Sequence, residues 1–371
     1  SQFMEINTVF QLMALMEKRP GLLERASRLL MMPDLFNYYL CGAQVSEYSI
    51  ASTTQMLDAR TKMWSKEVLE SLGIPERILG SIVPCGTRLG LMKNGICQEL
   101  GIEPGEVIAV SGHDTQSALA AVPARDKDFI FISCGTWSLF GTELDEPVIN
   151  GLSKKLNITN EGGCQGKISF LKNIIGLWLI QESRRQWIRE GKEYGFGHLE
   201  QMAADAEPFK ALIDPDAPEF VPAGNIPERI RRFCRESGQR VPGNEAELVR
   251  CIDESLAFKY RMTLDEIKMC TGREYPAIHM VGGGTQSRLL CQMTANACHC
   301  PVIAGPVEAT VLGNAALQLL AAGELRNLDQ VRNVVEASAK VSIYEPEDTN
   351  QWDQVYGQYK KMFAADGGSY L

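Results

Sequence analysis

The segment VIAVSGHDTQSALAA, residues 107–121, decides the fold class, because it reads as a buried strand followed by a turn and a helix. Residues 107–110 are all apolar, and Ser111-Gly112 ends the run. His113, Asp114 and Thr115 then stand at the start of the helix. At the carboxyl end of a strand in an α/β sheet, such residues face the crevice where ligands bind. The segment therefore predicts an α/β fold with a ligand site at this turn.

Asp114 has two interpretations at this point. Asp114 or Thr115 can cap the helix, which is common for both residue types. Alternatively, the Asp114 carboxylate can accept the proton of a hydroxyl during phosphoryl transfer, with His113 holding the substrate. The pattern alone favours neither interpretation.

Two further segments end in turns of small residues. In SCGTWS (133–138), a hairpin tip with Gly135 and Thr136 would present backbone N–H groups to an anion, although an ordinary tight turn has the same pattern. In VGGGTQS (281–287), the glycines let a ligand approach the backbone closely. This spacing is neither the P-loop pattern nor G-x-G-x-x-G, so the sequence indicates neither a P-loop enzyme nor a Rossmann dehydrogenase.

The pattern of apolar residues on either side of these segments predicts alternating helices and strands, and hence an α/β architecture. Five prolines between residues 208 and 227 predict an irregular segment. The predicted helices are an apolar stripe from Val9 to Met16, a short helix ending at Gly42, residues 171–190, residues 244–271, and a helix that ends at Gly323.

Composition bounds the class of protein. A chain of 371 residues predicts two domains, and the net charge of −9 with no dense Lys/Arg cluster argues against nucleic acid as a partner. No apolar run is long enough to span a membrane. Eleven cysteines are too few for a disulfide scaffold and suit a reducing cytoplasm, where Cys234 and Cys251 are expected to be a reduced pair. We assign no metal ligand, because the consecutive Cys298-His299-Cys300 cannot easily share one tetrahedral ion.

Taken together, the motifs resemble those of the FGGY carbohydrate kinases, whose fold is related to the actin-like ATPases and ribonuclease H. The resemblance implies an α/β protein of two domains: residues 1–122 as the remaining part of the sugar-binding domain, residues 123–325 as the nucleotide-binding domain, and residues 326–371 as a helical segment that packs back on the body. The segments that carry it are SGHDTQSA (111–118), SCGTWSLFG (133–141), NITNEGG (157–163), LKNIIGLWLIQE (171–182), VGGGTQSRLL (281–290) and AGPVEATVLGN (304–314).

The resemblance also implies a role for individual residues. Asp114 matches the catalytic base, and His113 and Thr115 match contacts to the ketose. The branch of the family that the chain resembles most transfers the γ-phosphoryl of ATP, with Mg²⁺, to the C1 hydroxyl of L-rhamnulose, and a monomer or weak dimer is expected. Glu161 lies in a matching active-site loop without an assigned role. The other matches are Asn173 with the sugar, and Thr136, Gln181 and Gly283 with the nucleotide.

One departure from the family pattern is clear. The family begins with a strand–turn–strand that carries an Asp-x-Gly phosphate motif, whereas SQFMEINTVF (1–10) aligns to the middle of the first domain. The chain is therefore expected to be a piece of a longer protein. Three alternatives stay open: a family kinase for fuculose or xylulose, a nucleotide-binding module without kinase activity, and an actin-like assembly protein.

Overall fold

The computed structural model describes residues 2–126 and 128–363, and in it strands and helices alternate as the sequence predicts. Residue 1 and residues 364–371 of the predicted C-terminal segment lie outside the described residues, as does residue 127. The strands are β1 (Ser46–Glu47), β2 (Leu57–Asp58), β3 (Met63–Trp64), β4 (Ile82–Val83), β5 (Thr87–Leu91), β6 (Glu106–Ala109), β7 (Ile130–Cys134), β8 (Trp137–Leu144), β9 (Thr159–Gly162), β10 (Ile168–Ile175), β11 (Ile278–Val281), β12 (Val302–Ala304) and β13 (Ser342–Tyr344).

The helices follow the predicted stops closely, and the long helix over 244–271 is confirmed. Asn244 caps it by accepting the Glu247 N–H, and the helix ends at Gly272. The helices are α1 (Thr8–Lys18), α2 (Leu22–Arg25), α3 (Met32–Cys41), α4 (Tyr48–Ser52), α5 (Lys66–Leu72), α6 (Asn94–Leu100), α7 (Asp114–Ala120), α8 (Gly151–Lys155), α9 (Trp178–Arg189), α10 (Phe196–Asp205), α11 (Ile226–Glu236), α12 (Glu245–Thr271), α13 (Arg288–Cys298), α14 (Ala309–Ala322), α15 (Leu328–Ser338) and α16 (Thr349–Phe363).

The largest sheet of the described chain has seven strands in the order β13-β12-β11-β7-β8-β10-β9. β7 and β8 form the predicted antiparallel hairpin, and β11 lies parallel to β7 on the other side. Ser133 pairs with Val281, so the carboxyl ends of β7 and β11 lie side by side. The hairpin turn and the glycine turn therefore meet at the same edge of the sheet.

Both faces of this sheet are covered, as alternating residues of β7 show. Ile130 and Ile132 belong to a core that includes residues of α12 and α13, whereas Phe131 belongs to a core with α7, α14 and α15. A separate apolar cluster in the first part of the chain contains Val9 and Leu12 of α1 together with Leu69 of α5. Each buried Val, Leu, Ile or Phe side chain stabilises the fold by roughly 1.5–3 kcal/mol relative to the same side chain exposed to water.

The prediction of a helix over residues 171–190 is wrong for its first part. Residues 168–175 form β10, which pairs with β8 along its whole length and with β9 over its first half, and the helix begins only at Trp178. A short apolar run such as this one is compatible with a strand or a helix. Pairing with β8 on one side and β9 on the other makes it a strand. Asn173 is therefore a strand residue and not a helix residue.

The proline-bearing segment is irregular, as predicted, with a single 3₁₀ turn at Pro218–Phe220. Lys259 of α12, which is 5% exposed, holds this segment through ion pairs with Asp214 at 2.8 Å and Asp216 at 2.9 Å. Asp216 in turn accepts the Ile175 N–H at 2.8 Å, which ties the segment to the end of β10.

Within residues 2–126 and 128–363, every helix is too short or too polar to cross a membrane.

Candidate functional site

The turn between β6 and α7 carries the residues predicted to do the chemistry. His113 is the N-cap residue of α7 and Asp114 its first helical residue. The Asp114 Oδ1 accepts the Thr115 N–H at 2.7 Å, but the N-cap position belongs to His113 and has no side-chain capping hydrogen bond, so neither Asp114 nor Thr115 is the cap that the first interpretation expects. The Asp114 side chain is nevertheless 79% exposed. It is therefore both held by the helix start and accessible to a ligand.

A buried polar network of Asp34, Glu47 and Ser49 holds the backbone of this turn. Glu47, 1% exposed, accepts the Gly112 N–H at 2.9 Å, and the Ser49 hydroxyl accepts the His113 N–H at 3.1 Å while donating to Glu47. Asp34, also 1% exposed, accepts the Glu47 N–H at 3.1 Å. Burial raises the pKa of the Glu47 carboxyl, and burial with the Glu47 charge raises that of Asp34 to about 7.

The imidazole of His113 lies between two carboxylates. Its Nδ1 is 3.3 Å from Oε2 of Glu161 on β9, and its Nε2 is 3.7 Å from Oδ1 of Asp114. Burial disfavours the charged imidazole, but contact with Glu161 and the charges of Glu161, Asp114 and Glu47 outweigh it. The pKa of His113 is therefore raised above its ordinary value of 6.5.

Thr136 and Gln181 meet at the tip of the β7–β8 hairpin. The Thr136 hydroxyl donates to the Gln181 Oε1 at 3.2 Å, and the Thr136 carbonyl accepts the Gly176 and Trp178 N–H groups at 3.1 Å each. The Gly135 N–H is engaged by the Trp137 carbonyl at 2.8 Å, so that donor of the predicted anion nest is already used.

Of the three glycines after β11, only the middle one faces open space. A Cβ on Gly282, whose φ is +89°, would lie 2.8 Å from the Cys134 carbonyl oxygen, and one on Gly284 would overlap the Cys134 side chain. A Cβ on Gly283 would have nothing within 4 Å. The register of β7 with β11 places this open position beside the hairpin of Thr136.

Asn173 contacts Gln2 and lies further along β10 than the residue that meets α7. Its N–H and side-chain amide both donate to the Gln2 Oε1, at 2.8 and 2.9 Å, and its carbonyl accepts from the Gln2 side chain at 3.1 Å. Further back along β10, the Ser169 hydroxyl donates to Gln116 of α7 at 2.7 Å. Four residues of strand, roughly 13 Å, separate Ser169 from Asn173.

The structure thus forms two groups and leaves one residue aside. His113, Asp114 and Thr115 lie together, Thr136 and Gln181 touch each other near Gly283, and Asn173 contacts Gln2. The sequence analysis missed Asp34, Glu47 and Ser49 and left Glu161 without a role. Nothing in the sequence distinguishes a buried carboxylate from a solvated one, since the pattern of apolar residues does not report what packs over a polar side chain.

Several solved sugar kinases share this architecture. The chain matches the ligand-bound xylulose kinase from Lactobacillus acidophilus with a TM-score of 0.74 at 18% identity, covering 100% of this chain and 75% of that one. It matches the gluconate kinase from Lactobacillus acidophilus with a TM-score of 0.75 at 18% identity, with the same coverage. The glycerol kinase from Plasmodium falciparum with ADP gives 0.69 at 16% identity, covering 96% and 71%. At these identities the match shows the fold.

Sequence comparison gives the family. Rhamnulokinase from Bacteroides thetaiotaomicron is 41% identical over 97% of this chain and 73% of its own length, and rhamnulokinase from Enterococcus faecalis is 38% identical over 93% and 69%. The N-terminal domain model of the FGGY family of carbohydrate kinases matches residues 2–121, and the C-terminal domain model matches residues 130–322. The chain belongs to the FGGY family of carbohydrate kinases.

Proposed function

We propose that this protein transfers the γ-phosphoryl group of ATP to the C1 hydroxyl of L-rhamnulose, giving L-rhamnulose 1-phosphate, with Asp114 as the general base. The substrate is taken from the rhamnulokinases that are 38–41% identical to this chain. The cytoplasmic location and the monomer or weak dimer expected from the sequence stay predictions.

The observation that carries the proposal is the placement of Asp114. Its carboxylate is 79% exposed, while the turn that bears it is anchored through buried Glu47 and Ser49. A rigidly held, accessible carboxylate can accept the proton of a sugar hydroxyl as the hydroxyl attacks phosphorus. The adjacent His113 and Thr115 are proposed to hold the same sugar, and Asn173 a more distant part of it.

The nucleotide is proposed to lie at the edge of the sheet formed by the hairpin and the glycine turn. Gly283 offers an uncovered backbone against which adenosine can pack, and Thr136 with Gln181 supplies hydroxyl and amide groups. Among the described residues, no group of three potential ligands could hold a metal ion. Mg²⁺ is proposed to enter with the nucleotide, since it commonly keeps several waters and binds phosphate oxygens. When bound, Mg²⁺ neutralises phosphate charge.

The domain division is proposed as expected from the sequence: sugar binding in residues 1–122, nucleotide binding in residues 123–325, and a segment over 326–371 that packs on the body. Support comes from the separate apolar clusters of residues 9–79 and of the large sheet, whereas α7, just before the proposed division, packs with the large sheet. The last segment also contributes β13, which pairs with β12, so it is not entirely helical.

The test is sugar-dependent ADP release by the 371-residue chain with Mg–ATP, with L-rhamnulose, L-fuculose and D-xylulose compared. We expect the highest turnover with L-rhamnulose. Asp114→Asn should lower kcat by about 100-fold or more, the usual contribution of a general base. Asp329→Asn is the matched control, because Asp329 is also an exposed aspartate in the first turn of a helix, α15. ADP binding without sugar-dependent release would overturn the proposal for this chain.

A further inference from the structure

Glu161 is a buried carboxylate that the sequence analysis left without a role. It lies on β9, where its backbone pairs with Ser169 of β10, and its side chain is 7% exposed. Its Oε2 and the His113 Nδ1 are 3.3 Å apart, close enough for an ion pair, and within the described residues neither atom has a hydrogen-bond partner. A carboxylate taken out of water without a donor is costly, so the neighbouring imidazole of His113 affects its stability.

The surroundings of His113 favour the charged form of its imidazole. The His113 backbone N–H donates to the Ser49 hydroxyl, which anchors the backbone of this residue, and its side chain is 17% exposed. The charged groups that act on it come from three elements: Glu161 on β9, Asp114 on α7 and Glu47 at the junction of β1 with α4. All three are carboxylates, and Glu161 is the nearest.

We propose that Glu161 is a positioning residue for the phosphoryl transfer proposed above: it holds His113 as an imidazolium with Nδ1 toward Glu161 and Nε2 toward Asp114 and the sugar. An imidazolium has a donor at each nitrogen and no acceptor. His113 therefore donates to a sugar oxygen and does not compete with Asp114 for the hydroxyl proton. The inference rests on the proposed function for its catalytic consequence, whereas the pairing itself concerns only this chain.

The first test needs no activity. The His113 imidazole is followed by NMR over pH and assigned by its loss in His113→Gln. We expect a wild-type midpoint above 6.5, and a midpoint at least one pH unit lower in Glu161→Gln, which keeps the shape and removes the charge. Glu254→Gln is the matched control: Glu254 is also a buried carboxylate, 1% exposed, but it lies on α12, where it accepts from the Phe209 N–H and the Arg250 side chain. That variant should leave the His113 midpoint unchanged.

The second test is kinetic. In Glu161→Gln we expect kcat with L-rhamnulose to fall about tenfold with an unchanged KM for ATP. The alkaline limb of the kcat/KM profile for the sugar should move to lower pH, and Glu161→Asp should restore part of both. A purely structural role for Glu161 would not move the limb.

The outcomes separate the two proposals. A wild-type His113 midpoint at or below 6.5 overturns the inference without any variant, which covers the case that Glu161→Gln does not fold. An equal midpoint in wild type and Glu161→Gln overturns it too. A shifted midpoint in a chain that transfers no phosphoryl group to sugar overturns the proposed function and supports the pairing.

Discussion

Gly283→Ala and Gly284→Ala should affect different properties, although the two positions are neighbours: the first should weaken ADP binding and the second should lower stability. At Gly284 the new Cβ would lie 2.7 Å from the Cys134 Cβ, about 1 Å inside an ordinary carbon contact of roughly 3.5–4.0 Å. Cys134 is fully buried on β7, and its sulfur contacts the hydroxyls of Ser138 and Tyr260 at 3.6 and 3.8 Å. Overpacking at such a position costs about 1–3 kcal/mol.

At Gly283 the added methyl group meets nothing within 4 Å, and the residue has no positive φ. Gly283→Ala should therefore change the stability by no more than about 0.5 kcal/mol. If adenosine packs against this position, the methyl group takes its place, and the affinity for ADP should fall at least tenfold, which is about 1.4 kcal/mol.

The assay is thermal unfolding of each variant, followed by ADP titration in a calorimeter. Gly95→Ala on α6, where a Cβ also meets nothing within 4 Å, is the control for both measurements. We expect Gly284→Ala alone to melt several degrees below the wild type. A Gly284→Ala variant that melts like the wild type would refute the clearance reasoning. A Gly283→Ala variant that binds ADP as the wild type does would refute the placement of the nucleotide.

Two further predictions concern stability. Burial, and next the Arg332 charge, lowers the pKa of His279 to about 4. Between pH 6.5 and 4 the unfolded chain therefore binds a proton that the folded chain does not. The free energy of unfolding should fall by up to about 3 kcal/mol as the pH is lowered over this range. His279→Gln should flatten the pH dependence of urea unfolding there, and parallel wild-type and variant curves would contradict this. Gly313→Ala should melt lower, because its Cβ would lie 2.7 Å from the Ser117 carbonyl carbon and overpack α14 against α7, at a cost of about 1–3 kcal/mol. Gly357→Ala, open in the middle of α16, should melt at or above the wild-type temperature, since alanine is the better helix former.

Much of the fold could be predicted from local patterns. The helix over 244–271 follows from apolar residues at helical spacing, and the helix before Gly323 ends where glycine follows it. The hairpin of residues 128–142 follows from two apolar runs separated by a short turn. These features depend on residues close together in the sequence, so a local pattern contains the information.

The candidate site was only partly predictable. The turn that bears His113 and Asp114 is visible as strand, turn and helix, and the residue matches to the family came from motifs along the chain. The helix predicted for residues 171–175 is a strand, because the open edges of β8 and β9 pair with it. That pairing is a tertiary contact, and the short apolar run does not specify it.

The sequence by itself determined the α/β class, the three turns that carry small and polar residues, and the family. Only the tertiary structure decided that Glu161 of β9 reaches the His113 imidazole and that Glu47 and Ser49 hold the backbone below it. Only it showed that Gly283 is open while Gly284 is closed by Cys134. The physical reason is that a carboxylate or a glycine acquires its role from the atoms packed around it, and those atoms come from strands and helices distant in the sequence.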